Sequence, residues 1–428
     1  MPDSNRNRSP SSALPLAYFI LAHLGLGSAL LVLVFRPELP GAFFFHPRMV
    51  ALVHLVTLLW LSGSILGAFY IVAPLVLRMP MPVGRADWVA FVAFSIGTSG
   101  MVTHFWIGEY DGMAWSAALV LGAIGWVASR TWRGLPEARV PWPVKLHVSL
   151  AFGNILAAGG LGILLGLDRS RGFLGLSPLA VTYAHAHLAA VGWVAMMVVG
   201  LGYRLIPMML PAAMPTGRRL AVSAVLIQSG VVVVLVTLLT ESRWLPLGGV
   251  LIVGGIVSFA AVMRVTVRHR VPRPPALPRR DWSAWQAHAA LFWLLIAAVL
   301  GLTLSASGVV PHRTGLMWCY GVAGLLGFLA QMVVGIQGRL VPMYAWYRAL
   351  AARNGATPDR SVGDLVSAPF ARTVFWAWAI GVPWLALGLA SQWEAGIVAG
   401  AAALLAGLVV GGAYIAHMLR LAGRAVDR

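Results

Sequence analysis

The chain has one cysteine, Cys319, and only 13 acidic residues among 428. A single thiol excludes a disulfide framework and a thiolate metal cluster. Charged residues make up 10% of the sequence, too few to coat a soluble protein of this length. No Asp, Glu or Lys falls in the middle of a long apolar segment; Asp87, Glu109, Asp281 and Glu394 all fall at segment ends. Proton-coupled transporters and pumps normally carry carboxylates inside the membrane, so this absence argues against both. There is also no long polar stretch to form a separate soluble domain. The formal net charge of +18 therefore does not point to a nucleic-acid surface.

What the chain has in abundance is apolar sequence, 59% by count, with a mean hydropathy of +0.82. Runs of about 20 residues, the length that crosses about 30 Å of hydrocarbon, recur from end to end. Twelve are expected, at roughly 15–35, 47–77, 88–107, 113–130, 144–167, 178–210, 219–240, 245–266, 285–306, 314–345, 371–391 and 394–421. The basic residues fall in alternate loops. With the N-terminus taken as inside, inner segments hold 25 of the 31 Lys and Arg, and Arg36, Arg48, Arg169, Arg171, Arg243 and Arg313 lie outside. By the positive-inside rule this asymmetry puts both termini in the cytoplasm of a multi-pass inner-membrane protein. Residues 1–12 read as a disordered tail leading into a retained signal anchor. Residues 13–428 read as one membrane domain.

One pattern recurs within it. His54 is followed by Trp60, Gly67, Tyr70 and Pro74, and His187 by Trp193, Gly200, Tyr203 and Pro207, at the same four offsets. A third copy, Phe328, Gly335, Gly338 and Pro342, has Val322 in the histidine's place. Three copies over twelve helices predict three four-helix units, at about 13–140, 141–280 and 281–428.

The ionisable groups expected inside the membrane are histidines. His54 lies twenty residues before Pro74, or about 30 Å along a helix, which places it in the outer third of the bilayer. The same arithmetic places His187 there. Two imidazoles at matched depth suit a planar iron cofactor, for which imidazole is the usual axial ligand. His185 and His187 are separated by about 200° of helix rotation, so they face opposite sides and cannot easily chelate one metal. His23, His147 and His288 fall near the starts of the first, fifth and ninth helices, as one structural contact repeated three times. His46, His104 and His312 read as interfacial residues. The stretch from Thr103 to Asp111 reads either as a cation site or as an aromatic belt with an acidic loop. Arg48 and Arg313, on the outer side, are candidate partners for propionates, with ordinary loop arginines as the simpler reading. The Pro-Met endings at Pro207-Met208 and Pro342-Met343 make a weak case for copper, because Met is also a common apolar filler.

Taken together, twelve helices in three units with an outer-side histidine on the second helix resemble subunit I of the haem-copper oxidase superfamily, including the cbb-type oxidases and the large subunit of nitric-oxide reductase. The stretch from His54 to Pro74 is similar to the low-spin haem helix of the nitric-oxide reductase branch. The segment Tyr183-Ala184-His185-Ala186-His187 resembles the His-x-His motif of NnrS-type membrane proteins. The resemblance implies that His54 is an axial ligand of a b-type haem. It puts His187 where the family places a copper or iron ligand.

The departures from that family matter as much. Its seventh helix carries adjacent histidines, and residues 219–240 contain none. Its tenth helix carries His-x-His, and residues 314–345 contain no histidine. The standard binuclear centre cannot be built from what remains, which argues against oxygen or nitric-oxide reduction by the family mechanism and against copper.

The expectation is therefore a divergent, subunit-I-like membrane protein binding haem b through His54, in respiratory electron transfer or nitric-oxide and oxygen metabolism. His187, His185 and Met317 are the candidates for a second ligand, and a cytochrome or other respiratory subunit is the expected partner. Whether any catalysis remains is left open. A haem-free twelve-helix transporter and a non-catalytic assembly partner are the alternatives.

Overall fold

The computed structural model describes residues 12–42, 44–272, 281–307, 314–353 and 355–424. Among them the regular structure is all helical, with no strands. Twelve helices are long and apolar enough to cross a membrane. They are α1 (Leu14–Phe35), α2 (Pro47–Leu75), α3 (Arg85–Ile107), α4 (Tyr110–Glu137), α5 (Trp142–Arg171), α6 (Pro178–Met208), α7 (Leu220–Leu239), α8 (Leu245–Arg268), α9 (Trp282–Ser307), α10 (Thr314–Ala352), α11 (Ala368–Ser391) and α12 (Glu394–Gly423). In hydrocarbon every backbone N–H and C=O must be satisfied inside its own segment, which leaves such sequences helical. An even number of crossings returns the chain to the face where it starts. Arg313 and His312 lie outside the described residues.

Three helices form the centre. The most apolar windows of α2, α6 and α10 are 67%, 67% and 61% buried, and no other helix exceeds 50%. Each of the three is interrupted by eight residues of wider π-helix: Leu55–Ser62, Leu188–Ala195 and Ala323–Ala330. These segments start 133 and then 135 residues apart and touch one another in pairs. The residues just before them are His54, His187 and Val322. The sixth residue of each, Trp60, Trp193 or Phe328, is buried. π-Helical turns are rare and concentrate at functional sites, because the extra residue per turn re-aims the side chains around it.

The other nine helices wrap this centre, and α12 closes the ring against α1. The pairs α3–α4, α7–α8 and α11–α12 pack most extensively, through small residues that let backbones approach. A Cβ on Gly230 of α7, for example, would lie 2.8 Å from the carbonyl oxygen of Gly248 on α8.

The helix that precedes each central helix packs against it in one register. A Cβ on Gly67 would lie 2.8 Å from Tyr18 Cβ, one on Gly200 would collide with His147 Cβ, and one on Gly335 would lie 3.5 Å from Gln286 Cβ. Seven residues further along α1, α5 and α9, Gly25 meets Leu59, Asn154 meets Gly192 and Trp293 meets Gly327. The glycine changes sides, so a large residue always enters a small one's place. This register differs from the expected grouping of His23, His147 and His288. The residues level with His147 are Tyr18 and Gln286. His23 lies instead beside Trp60, with ring centres 5.1 Å apart, and His288 is exposed.

A buried carboxylate ties three helices together at the end of α3. Asp87, 1% exposed, forms an ion pair with Arg130 and accepts hydrogen bonds from Tyr70 Oη (2.9 Å), Trp126 Nε1 (3.1 Å) and the Gly84 amide (2.7 Å). It sits at a helix end, as the sequence indicates, and every partner it needs is supplied locally.

Candidate functional site

The centre brings two histidines together near the start of α2. His54, just before the first π-segment, and His185 of α6 lie with ring centres 6.3 Å apart and planes 28° apart. Each ring is oriented through Nδ1. His54 Nδ1 donates to the carbonyl of Val50 at 2.8 Å, one helical turn back. His185 Nδ1 donates across to the carbonyl of Ala158 on α5 at 2.9 Å. In that tautomer each Nε2 carries a free lone pair. Neither Nε2 has a hydrogen-bond partner among the described residues.

Apolar packing holds both rings in place. Phe105 of α3 lies 4.9 Å from the His54 ring, centre to centre. Gly162 of α5 makes room for His185: a Cβ there would lie 3.0 Å from His185 Cε1. Arg48 lies on the neighbouring aromatic, its guanidinium 5.5 Å from the centre of the Trp106 ring.

His187 faces the other way, as its rotation from His185 requires. Its Nδ1 donates to the Tyr183 carbonyl at 2.7 Å, and its Nε2 is hydrogen-bonded to Tyr320 Oη of α10 at 3.1 Å. Both ring nitrogens are thus engaged. Of the three candidate second ligands, His185 is the one placed beside His54. His185 carries a clue in the sequence, since its rotation from His187 says that the two serve different neighbours. Its partner could not be read, because the pairing spans 131 residues and depends on how α2 and α6 pack.

Two other suggestions from the sequence have structural roles. His46 caps α2, its Nδ1 accepting from the Arg48 amide at 3.3 Å. Glu109 caps α4, accepting from the amides of Asp111 (3.0 Å) and Gly112 (2.8 Å), and lies 3.5 Å from His104 Nε2. A cation between Thr103 and Asp111 would have to displace those bonds.

The pair of free imidazole nitrogens is the donor set that haem iron takes, with each ring fixed by a second bond from its far nitrogen. Two nitrogens about 2 Å from one metal place their ring centres roughly 6 Å apart on opposite sides, close to the separation found. Among the described residues no group of three or more His, Cys, Asp or Glu surrounds a common point. A bare divalent ion normally needs about four protein ligands, whereas a porphyrin brings four of its own. The residues present therefore fit a haem better than a bare ion. No protein-family profile matches the chain, and no curated protein matches it.

Proposed function

We propose that this chain is a membrane haem protein, a divergent relative of haem-copper oxidase subunit I, in which His54 and His185 hold one b-type haem. The observation that carries this reading is the ring pair itself: two imidazoles from two central helices, each anchored at Nδ1 and each with Nε2 free. Such a haem would supply a one-electron couple to the membrane interior. The rest is the work of the chain. The Val50 and Ala158 carbonyls fix the tautomer and strengthen each ring as a donor. Phe105 excludes water from the His54 side. Occupation of both axial positions favours electron transfer over gas binding. The chain then belongs to respiratory electron transfer, or passes electrons to nitric-oxide or oxygen chemistry on a partner subunit.

The architecture is read here as three four-helix units around a threefold centre. The π-segments at matched spacing, the matched glycine contacts and the pairs α3–α4, α7–α8 and α11–α12 support this reading. The charge asymmetry of the loops supports cytoplasmic termini.

Pyridine-haemochrome and metal analysis of the purified chain tests the proposal. One b-type haem per chain is expected, with His185→Ala reducing it. Full haem content in a folded His185→Ala chain would remove His185 from the site.

A further inference from the structure

Away from the histidine pair, a half-open cavity of about 50 Å³ lies between α1, α2, α9, α10, α11 and α12. His23, Trp60, Gln286, Gln337, Trp378 and Tyr414 are among its walls. It lies in the half of the bundle nearer the chain termini and reaches the middle. His23 is nine residues into α1, about 14 Å, and Trp60 is fifteen residues from the end of α2, about 22 Å.

The walls are mostly apolar, but the polar groups among them are short of partners. Gln286 is 2% exposed, and neither its amide nitrogen nor its amide oxygen has a hydrogen bond among the described residues. Trp60 is 1% exposed, and its Nε1–H has none either. His23 donates Nδ1–H to the Phe19 carbonyl at 2.7 Å, which leaves Nε2 as an acceptor. Two donors and two acceptors thus converge on one small space. Buried polar groups that find no protein partner are generally met by an ordered water or another ligand.

Size decides which. Pockets for drug-sized organic ligands run to about 300–1,000 Å³. A water needs roughly 10–15 Å³ of the same kind of volume, and two to four polar partners. The cavity has room for about three to five waters, and it offers the partners. A ring-bearing lipid-soluble molecule such as a quinol does not fit without rebuilding the walls.

We infer that this cavity is a hydrated inlet, in which a small cluster of waters hydrogen-bonded to Gln286, Trp60 and His23 brings water from the termini side to the middle of the bundle. It is particular to this place. Trp193, at the matched position on α6, already donates its Nε1–H to Ser62 Oγ at 3.2 Å, and Phe328 on α10 has no polar atom to hydrate. The inference stands independently of the haem.

X-ray radiolytic footprinting of the purified full chain tests it, because hydroxyl radicals formed from bound water oxidise the side chains beside them. Trp60 should be oxidised faster than Trp193, and Gln286→Leu should abolish that difference in a chain that still folds. Trp60 as protected as Trp193 in the unmodified chain would overturn the inference, whether or not the variant folds. Undiminished oxidation of Trp60 in a folded Gln286→Leu chain would also overturn it.

Discussion

His187 and Tyr320 face each other between α6 and α10 with ring centres 6.2 Å apart and planes 25° apart, nearly the arrangement of His54 and His185. The likeness extends to the surroundings. Gly301 makes room for Tyr320, a Cβ there lying 3.0 Å from Cε2, as Gly162 does for His185. Both His54 and His187 anchor Nδ1 on the carbonyl four residues back. The second pair differs in closing on itself through the hydrogen bond from Tyr320 to His187 Nε2.

That difference can be reversed. Tyr320→His should leave two imidazoles facing each other at the same spacing, each with a free nitrogen, and so raise the haem or metal content above that of the unmodified chain. Stoichiometry by haemochrome and metal analysis reads this directly. An unchanged value in a folded variant would mean that the facing rings are not enough to make a site.

Gly162 tests the first pair without touching either histidine. In Gly162→Val the added methyls enter the space of the His185 ring, which must turn away from Ala158. Overpacking of this kind costs typically about 1–3 kcal/mol. The expected result is a folded chain of lower melting temperature and depleted cofactor. Full cofactor content would show that the orientation of His185 is immaterial.

Asp87 is expected to matter for stability alone. Asp87→Ala removes the ion pair with Arg130 and three hydrogen bonds, and leaves the guanidinium with only the Pro82 carbonyl, at 2.7 Å. Breaking a buried pair from one side costs about 3–5 kcal/mol. Thermal unfolding should show a clear loss, while the cofactor per folded chain is unchanged. A melting temperature equal to that of the unmodified chain would contradict the role given to this carboxylate.

Much of the central architecture is legible in sequence because it lies within single helices. The offsets from His54 to Trp60 and Gly67 are fixed covalently, and the same offsets in α6 and α10 carry the π-segments and the close contacts of Gly200 and Gly335. The widening itself was not visible, since a hydrogen-bond register shifted by one residue has no signature in composition.

Relations between helices were harder to read. The central helices repeat after 133 and 135 residues, yet Tyr18, His147 and Gln286 are separated by 129 and 139, because the connecting loops differ in length. Counting along the chain therefore grouped His23 and His288 with His147. The partner of His185 was out of reach for the same reason: it is set by packing, not by spacing.

The most direct test is the reduced-minus-oxidised absorption spectrum of the purified chain, expressed with ample haem, beside those of His54→Ala, His185→Ala and His187→Ala. The expected result is a sharp b-type band that is lost or strongly depleted in the first two variants and retained in the third. A colourless, metal-free protein, or a band that survives the loss of both His54 and His185, would contradict the account.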